Sequence, residues 1–381
     1  MPWANGSLTR FKRLLALMDE KQLDLAVISN QNSVYYYTGF QTNRPILSEV
    51  LSWTLPAYLI VQKDEDPILL AGEKERDVAA MTFGGQILTY ANYDLNQRMI
   101  AYPDFIAGAM NGIITKFVHL RRIGVDAWYI PQVLISTLPQ TAQLVDLSSD
   151  ILSMRAVKDP DEIEALRTSC QLNDFAYSVA RKKSTAGNSE LDVYASVQYE
   201  LTRKVGSYQL FAGDFVSGER SLEIGGYPTT RVLKNGETFI LDLWLTTKGY
   251  WSDMCRTFVI GTGASVEQKR ILGILKQAMT AGEERLRPGI MGCEVHKAVF
   301  DVIAKAGYAN NFPHHAGHAL GLDDQEPPFF IPGDKVELRE SNVCTLEPGV
   351  YIPGVGGFRI ENNYLIKSDR IEQLTNYPID L

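Results

Sequence analysis

Residues 238–258 read TFILDLWLTTKGYWSDMCRTF, from Thr238 to Phe258. The run from Thr238 to Leu245 is apolar on both alternating faces, as in a strand covered on both sides. Asp242 stands in its middle. An unpaired carboxylate in such a place costs roughly several kcal/mol or keeps its proton. A second strand follows from Tyr250 and carries Asp253. Both aspartates are equally far from the Thr247–Lys248 bond. In an even hairpin they face each other with Cβ atoms about 5 Å apart; a bulge at Gly249 would offset them by one residue. Two like charges at that distance repel by roughly 3 kcal/mol at an effective dielectric of 20. A bound cation turns this penalty into a binding site.

The pattern recurs near the C-terminus. Glu347 and Glu361 are symmetric about Gly354, on either side of a Pro/Gly-rich turn, and each has apolar neighbours. One buried acid is more often hydrogen-bonded by a turn than metal-bound, and one acidic hairpin alone leaves the two readings even. Two acidic hairpins in one chain, together with the histidine cluster that follows, favour metal.

Three of the five histidines fall together, in Pro313-His314-His315-Ala316-Gly317-His318-Ala319-Leu320-Gly321-Leu322. Pro313, Gly317 and Gly321 argue against a helical HxxxH pair and for a loop entering a strand, so the imidazoles can differ in role. His296 reads as a packed or surface residue. Four carboxylates and one imidazole, without thiolate, form a donor set for a catalytic pair of divalent ions. Manganese, iron, cobalt and zinc all suit it in that role, and a structural zinc site does not. Bridging carboxylates hold two such ions about 3.5–4 Å apart and activate a water between them.

Around these segments the chain divides in two. Its 381 residues are long for a single core. The first part alternates helix and strand patterns: a helix over 10–21, then strands at Leu23–Ser29, Tyr58–Gln62 and Ile68–Leu70, an α/β layout. The boundary falls near Met154–Asp159, giving domains 1–155 and 156–381. Asp159, Pro160 and Glu162 open a strong helix by a capping box. Ser189 and Ser265 open two more, and a fourth runs from Cys293 to Ala306, ending at Gly307. With strands at 238–246, 250–260, 343–351 and 357–366, the second domain is α+β, helices on a mostly antiparallel sheet.

The formal net charge of −8, with no basic block, speaks against nucleic acid as a partner. The four cysteines form no CxxC pair and read as buried thiols in a reducing compartment. The apolar run Leu14–Met18 is too short for a signal peptide, and no stretch is long enough to span a membrane. A cytoplasmic location is expected.

These motifs together resemble the creatinase / prolidase / aminopeptidase P superfamily, over nearly the whole chain. The carriers are Asp242 with Ser252-Asp253-Met254-Cys255-Arg256-Thr257, the histidine–glycine run from His315 to Leu322, Glu347-Pro348-Gly349, Arg359-Ile360-Glu361-Asn362, and an N-terminal element from Asn32 to Phe40. The resemblance implies a "pita-bread" catalytic domain with Asp242, Asp253, His318, Glu347 and Glu361 as metal ligands. It implies Glu347 as proton shuttle, His314 as the group that steadies the oxyanion or substrate carbonyl, and Arg359 as a residue holding a ligand carboxylate.

Two pocket histidines of the peptidases are absent: Gly225 and Gln325 stand in their places. The wall at Gly225 is expected to be open or filled by a neighbour such as Tyr227. The resemblance implies metal-dependent hydrolysis of a C–N bond in a short peptide or small molecule, of the Xaa-Pro dipeptidase or aminopeptidase kind, with an altered pocket. Hydrolysis or lysis of a small non-peptide compound is the alternative, and a non-catalytic binding protein a further one. It also implies a homodimer, in which Arg44 could reach a substrate carboxylate in the other subunit's site.

Overall fold

Local sequence sets the helix starts. In a computed structural model describing residues 4, 6–41, 56–91, 102–117, 119–261 and 263–381, the helix Pro160–Lys183 begins after Asp159, whose N–H donates to Glu162 Oε2 at 2.8 Å. Ser189 and Asp192 cap Glu190–Val205 reciprocally, and Ser265 and Gln268 cap Val266–Glu283. Each pair satisfies two backbone donors that a helix N-terminus otherwise leaves unpaired. The fourth helix is Gly292–Lys305. Among the described residues no helix is long and apolar enough to cross a membrane.

The chain forms two compact units, Met1–Met154 and Arg155–Leu381. The first holds a six-stranded sheet of β1 (Leu25–Ile28), β2 (Tyr58–Gln62), β3 (Ile68–Gly72), β4 (Gln86–Tyr90), β5 (Arg122–Val125) and β6 (Gln143–Asp146), in the order β4-β3-β2-β1-β5-β6. It is mixed: β1 pairs antiparallel with β2 and parallel with β5. β1 and β3 are buried throughout.

The second unit is antiparallel throughout its described pairings. One sheet is β7 (Phe211–Ser217), β8 (Thr238–Thr247) and β9 (Tyr250–Val259). A second runs β11-β10-β12-β15-β16, from β10 (His318–Ala319), β11 (Glu326–Phe329), β12 (Val343–Leu346), β15 (Asn362–Ile366) and β16 (Ile371–Gln373). Between β12 and β15 lies the hairpin of β13 (Gly349–Ile352) and β14 (Gly356–Arg359).

Strand periodicity explains why β8 is apolar on both faces. Phe239, Leu241, Leu243 and Leu245 pack with Tyr177, Val193 and Val197 of the first two helices. Ile240 turns the other way, into a cluster with Val216, Cys255 and Tyr351. Asp242 shares the face of Ile240, so it is buried but points away from the helices. A separate core joins the helices Val266–Glu283 and Gly292–Lys305 to β12, β14 and β15 through Leu275, Val299, Leu346, Phe358 and Tyr364.

The β8–β9 turn corrects the expected register. Asp242 pairs with Cys255, and Asp253 with Trp244. The two aspartates are therefore diagonal neighbours on one face, roughly 7 Å apart rather than directly opposed. The turn proper is Lys248-Gly249, both left-handed, with φ of 50° and 79°. Such two-residue turns match the twist of the flanking strands. The centre of the hairpin thus lies one residue beyond the Thr247–Lys248 bond, which moves the pairing by two.

Candidate metal centre

Four strands and one loop bring the acids together. In the second hairpin Gly349 pairs with Arg359, and Leu346 with Asn362. The same register holds on both sides of Glu347 and Glu361, which lie opposite each other where the ladder breaks. There the backbone turns to other partners: Glu347 N–H donates to the Ala316 carbonyl at 2.9 Å, and Glu361 N–H to the Cys255 carbonyl at 3.0 Å. These bonds tie the histidine loop and β9 to the same hairpin. Asp253 N–H donates to Asn363 Oδ1 at 3.1 Å, a further link between β9 and β15.

His318 opens β10 with its side chain 1% exposed. Its Nδ1 lies 3.0 Å from the Ala319 carbonyl and can only donate there. That leaves Nε2 with its lone pair free, 3.7 Å from Asp253 Oδ2 and 3.6 Å from Glu347 Oε1. A carbonyl-pinned, neutral imidazole is the form that ligates metal. Burial, the largest influence on His318, lowers its proton affinity, which favours the neutral form.

The fit to divalent cations rests on orphaned oxygens. Asp242 Oδ1, Asp253 Oδ1 and both Glu361 carboxylate oxygens are buried without a hydrogen-bond partner. Buried polar atoms are rarely left so, and each costs about 1–3 kcal/mol or more when it is. Ligand atoms of Asp253, His318 and Glu361 lie within 4.8 Å of one another, as do those of His315, His318 and Glu347. His318 belongs to both groups. Burial, then repulsion from Glu361, Asp242 and Glu347, pushes the Asp253 carboxyl well above the usual range. Burial, then Asp242 and Glu347, does the same to Glu361. A cation reverses this by favouring the charged form. Glu347 behaves oppositely. Burial alone would raise it, but its hydrogen bond to His315 and electrostatic attraction to that ring outweigh burial and bring it down to about 2.

Of the two remaining histidines, His315 is the one on Glu347, Nε2 to Oε1 at 3.0 Å. Burial opposes its charge, but the bond and charge pairing with Glu347 leave it raised. His314 is turned elsewhere. Its Nδ1 lies 2.7 Å from the His315 carbonyl and its Nε2 3.1 Å from the Tyr351 hydroxyl. Tyr351 in turn accepts from Arg359 Nη1 at 2.7 Å. Arg359 holds Asp242 Oδ2 through Nε at 3.1 Å and Nη2 at 2.7 Å.

Sequence reasoning placed His315 in the histidine run without giving it a role, and assigned none to Tyr351 or Asp214. Asp214 pairs directly with Asp242 across β7 and β8 and accepts from Arg359 Nη2 at 3.0 Å. The signal was legible in Phe211-Ala212-Gly213-Asp214-Phe215-Val216, another acid in an apolar strand.

Among the expected pocket residues, Gly225 has no open wall beside it and no Tyr227 ring. A Cβ built there would meet the Asp214 carboxylate at 2.5 Å, whereas Tyr227 is 77% exposed. Gln325 is exposed next to buried Glu326. Glu326 Oε1 and Oε2 accept from Arg155 at 2.6 Å and Lys158 at 2.9 Å. Arg44 lies outside the described residues.

Comparison with known proteins agrees with this centre. Residues 164–368 match the model of metallopeptidase family M24, and residues 10–157 that of the creatinase/prolidase N-terminal domain. The chain is 28% identical over 375 residues to the Xaa-Pro dipeptidase of Pyrococcus horikoshii, covering 98% of each chain. The crystal structure of the prolidase from Pyrococcus horikoshii superposes with a TM-score of 0.83 at 26% identity, covering 98% of this chain and 99% of that one. The prolidase from Pyrococcus furiosus gives 0.79 at 26%, covering 95% and 98%. Buried unpartnered acids, a carbonyl-pinned imidazole and the family match agree: the chain belongs to metallopeptidase family M24 and is a metal-dependent hydrolase.

Proposed function

We propose that the chain is a dinuclear Xaa-Pro-type peptidase of short peptides, with two manganese ions held by Asp242, Asp253, His318, Glu347 and Glu361. The observation that carries this is the set of four buried carboxylate oxygens without partners, on Asp242, Asp253 and Glu361, with ligand atoms of Asp253, Glu361 and His318 lying within 4.8 Å of one another. When bound, the ions polarise the scissile carbonyl and lower the pKa of a held water.

The residues supply the rest. A Glu347 oxygen takes the proton from the attacking water as the C–O bond forms, and His315 Nε2 stabilises the carboxylate before that transfer. Glu347 then returns the proton to the leaving nitrogen as the C–N bond breaks. His314 steadies the carbonyl oxygen in this scheme. Burial lowers His314 to about 4, so its ring is neutral, and it can donate from Nε2 only by giving up the proton on Nδ1 and with it the bond to the His315 carbonyl. Arg359 keeps Asp242 oriented.

The wall at residue 225 favours a second reading of the substrate. A carboxylate rather than an imidazole borders it, so a neutral or cationic small amide suits the site better than a free carboxylate. The expected homodimer, with Arg44 reaching a substrate carboxylate, and the cytoplasmic location complete the proposal. A monomer in sedimentation at working concentration would remove the Arg44 role.

The deciding experiment is a screen of Gly-Pro-type dipeptides, longer Xaa-Pro peptides and small amides, with Mn2+, Co2+, Zn2+ or Fe2+ added back. Cleavage before proline with Mn2+ is expected. Turnover of small amides alone, with no Xaa-Pro peptide cleaved, would replace the peptidase reading by the second one.

A further inference from the structure

Asp214 and Gly225 meet at one point. The register sets Asp214 directly opposite Asp242, where side chains on one face lie about 5 Å apart. Two like charges so placed repel, and Arg359 lies between them. Its Nη2 donates to Asp214 Oδ2 at 3.0 Å and to Asp242 Oδ2 at 2.7 Å. Asp214 Oδ1 accepts from Gly226 N–H at 2.8 Å, and Arg359 Nη1 donates to the Ile224 carbonyl at 2.5 Å. The loop through residue 225 is thus held on one side by the acid and on the other by the arginine.

The three atoms nearest to a Cβ at 225 are all of Asp214: Oδ2 at 2.5 Å, Oδ1 at 2.6 Å and Cγ at 2.7 Å. Gly225 is not among the residues with positive φ, so no left-handed backbone calls for glycine there. What excludes a side chain is the carboxylate. That carboxylate is 14% exposed and tied at both oxygens, so it cannot swing aside without releasing Arg359 or Gly226.

We propose that Asp214 is a positioning residue of the metal centre and the reason residue 225 is glycine: its carboxylate takes the room any side chain at 225 would need and, through Arg359, aims Asp242. This rests on the metal-centre reading but not on any substrate. Without Asp214, Arg359 Nη2 keeps Asp242 as its one carboxylate partner, and only the Nη1 bonds to Tyr351 and the Ile224 carbonyl still fix the guanidinium. The free oxygen of Asp242, Oδ1, then loses its fixed direction. A histidine at 225 is compatible with the site only once Asp214 is gone.

The test uses Asp214→Ala, Asp214→Asn, Gly225→Ala and the double variant Asp214→Ala/Gly225→Ala. Melting of the metal-free proteins reads the steric half. Gly225→Ala is expected to lower the midpoint by about 3–6 °C in the parent and by under about 1 °C in the Asp214→Ala background. Titration calorimetry with Mn2+ reads the positioning half, with affinity about tenfold or more weaker in both Asp214 variants. Asp214→Asn is nearly isosteric and covers the case in which the alanine variant fails to fold. With Co2+ loaded in place of Mn2+, its visible ligand-field bands should shift, which a purely structural role would not produce. Additive melting shifts would overturn the pairing of 214 with 225. Parent-like Mn2+ affinity and Co2+ bands in Asp214→Asn would overturn the positioning role. A parent that binds no Mn2+ would sink the metal-centre reading and the positioning role with it, and the melting data would still decide the steric pairing.

Discussion

Asp253→Asn separates the two demands on the centre. Ligand oxygens of Asp253 and Glu361 approach within 4.8 Å. Two full charges at that distance repel by about 3.5 kcal/mol at an effective dielectric of 20. Without metal the pair relieves part of this by holding a proton, since burial and mutual repulsion raise both carboxyls. Removing one acid while keeping its shape should therefore stabilise the metal-free protein by about 1–2 kcal/mol. In a unit of this size that is a rise in midpoint of about 2–8 °C. The same change removes an anionic ligand. Mn2+ at one hundred times its Kd should stabilise the parent by about 2.7 kcal/mol, and the variant by far less. The assay is thermal melting in chelator and in Mn2+, for both proteins. The result that would refute the reasoning is a variant less stable than the parent in chelator, with an undiminished Mn2+ shift.

Three further outcomes follow from the geometry. Glu347→Gln should cut kcat by about 10³-fold or more and weaken metal retention, because one side chain does both jobs; near-normal turnover would move the proton shuttle elsewhere. His314→Ala should slow the reaction but leave metal content near that of the parent, since its ring nitrogens face the His315 carbonyl and Tyr351; loss of ions on metal analysis would make it a ligand. Burial alone would raise Glu326, but Lys158 and Arg155 outweigh it and bring the carboxyl from 4.5 down to about 2. A lowered folded value means stability present above pH 4.5 and lost as pH falls from there through 2, about 3 kcal/mol in all. Denaturant unfolding across that window should show this slope in the parent and a shallower one in Glu326→Gln, and equal slopes would refute it.

Much of the centre was legible because its cause is local. Capping pairs such as Asp159–Glu162 and Ser189–Asp192 act within one turn, so three-residue spacings reveal them. Glu347 and Glu361 sit opposite each other because one tight hairpin, centred on Gly354, sets the register of every pair on both sides. An acid in an apolar strand, as at Asp242, announces an unmet electrostatic need whatever the tertiary structure.

The rest required contacts between distant segments or a backbone choice that composition does not encode. The β8–β9 pairing depended on Lys248 taking a left-handed conformation, which moved Asp253 to a diagonal position. Which imidazole meets Glu347 was decided by the course of the loop into β10, and consecutive histidines point in different directions. Gly225 read as a missing side chain. Only the fold shows the room there to be filled, because Asp214 lies eleven residues away in sequence, on a strand paired with β8, and Arg359 reaches it from the far end of the chain. Periodicity in a strand says which face a residue takes; which residues it then meets depends on how the sheets are laid against one another.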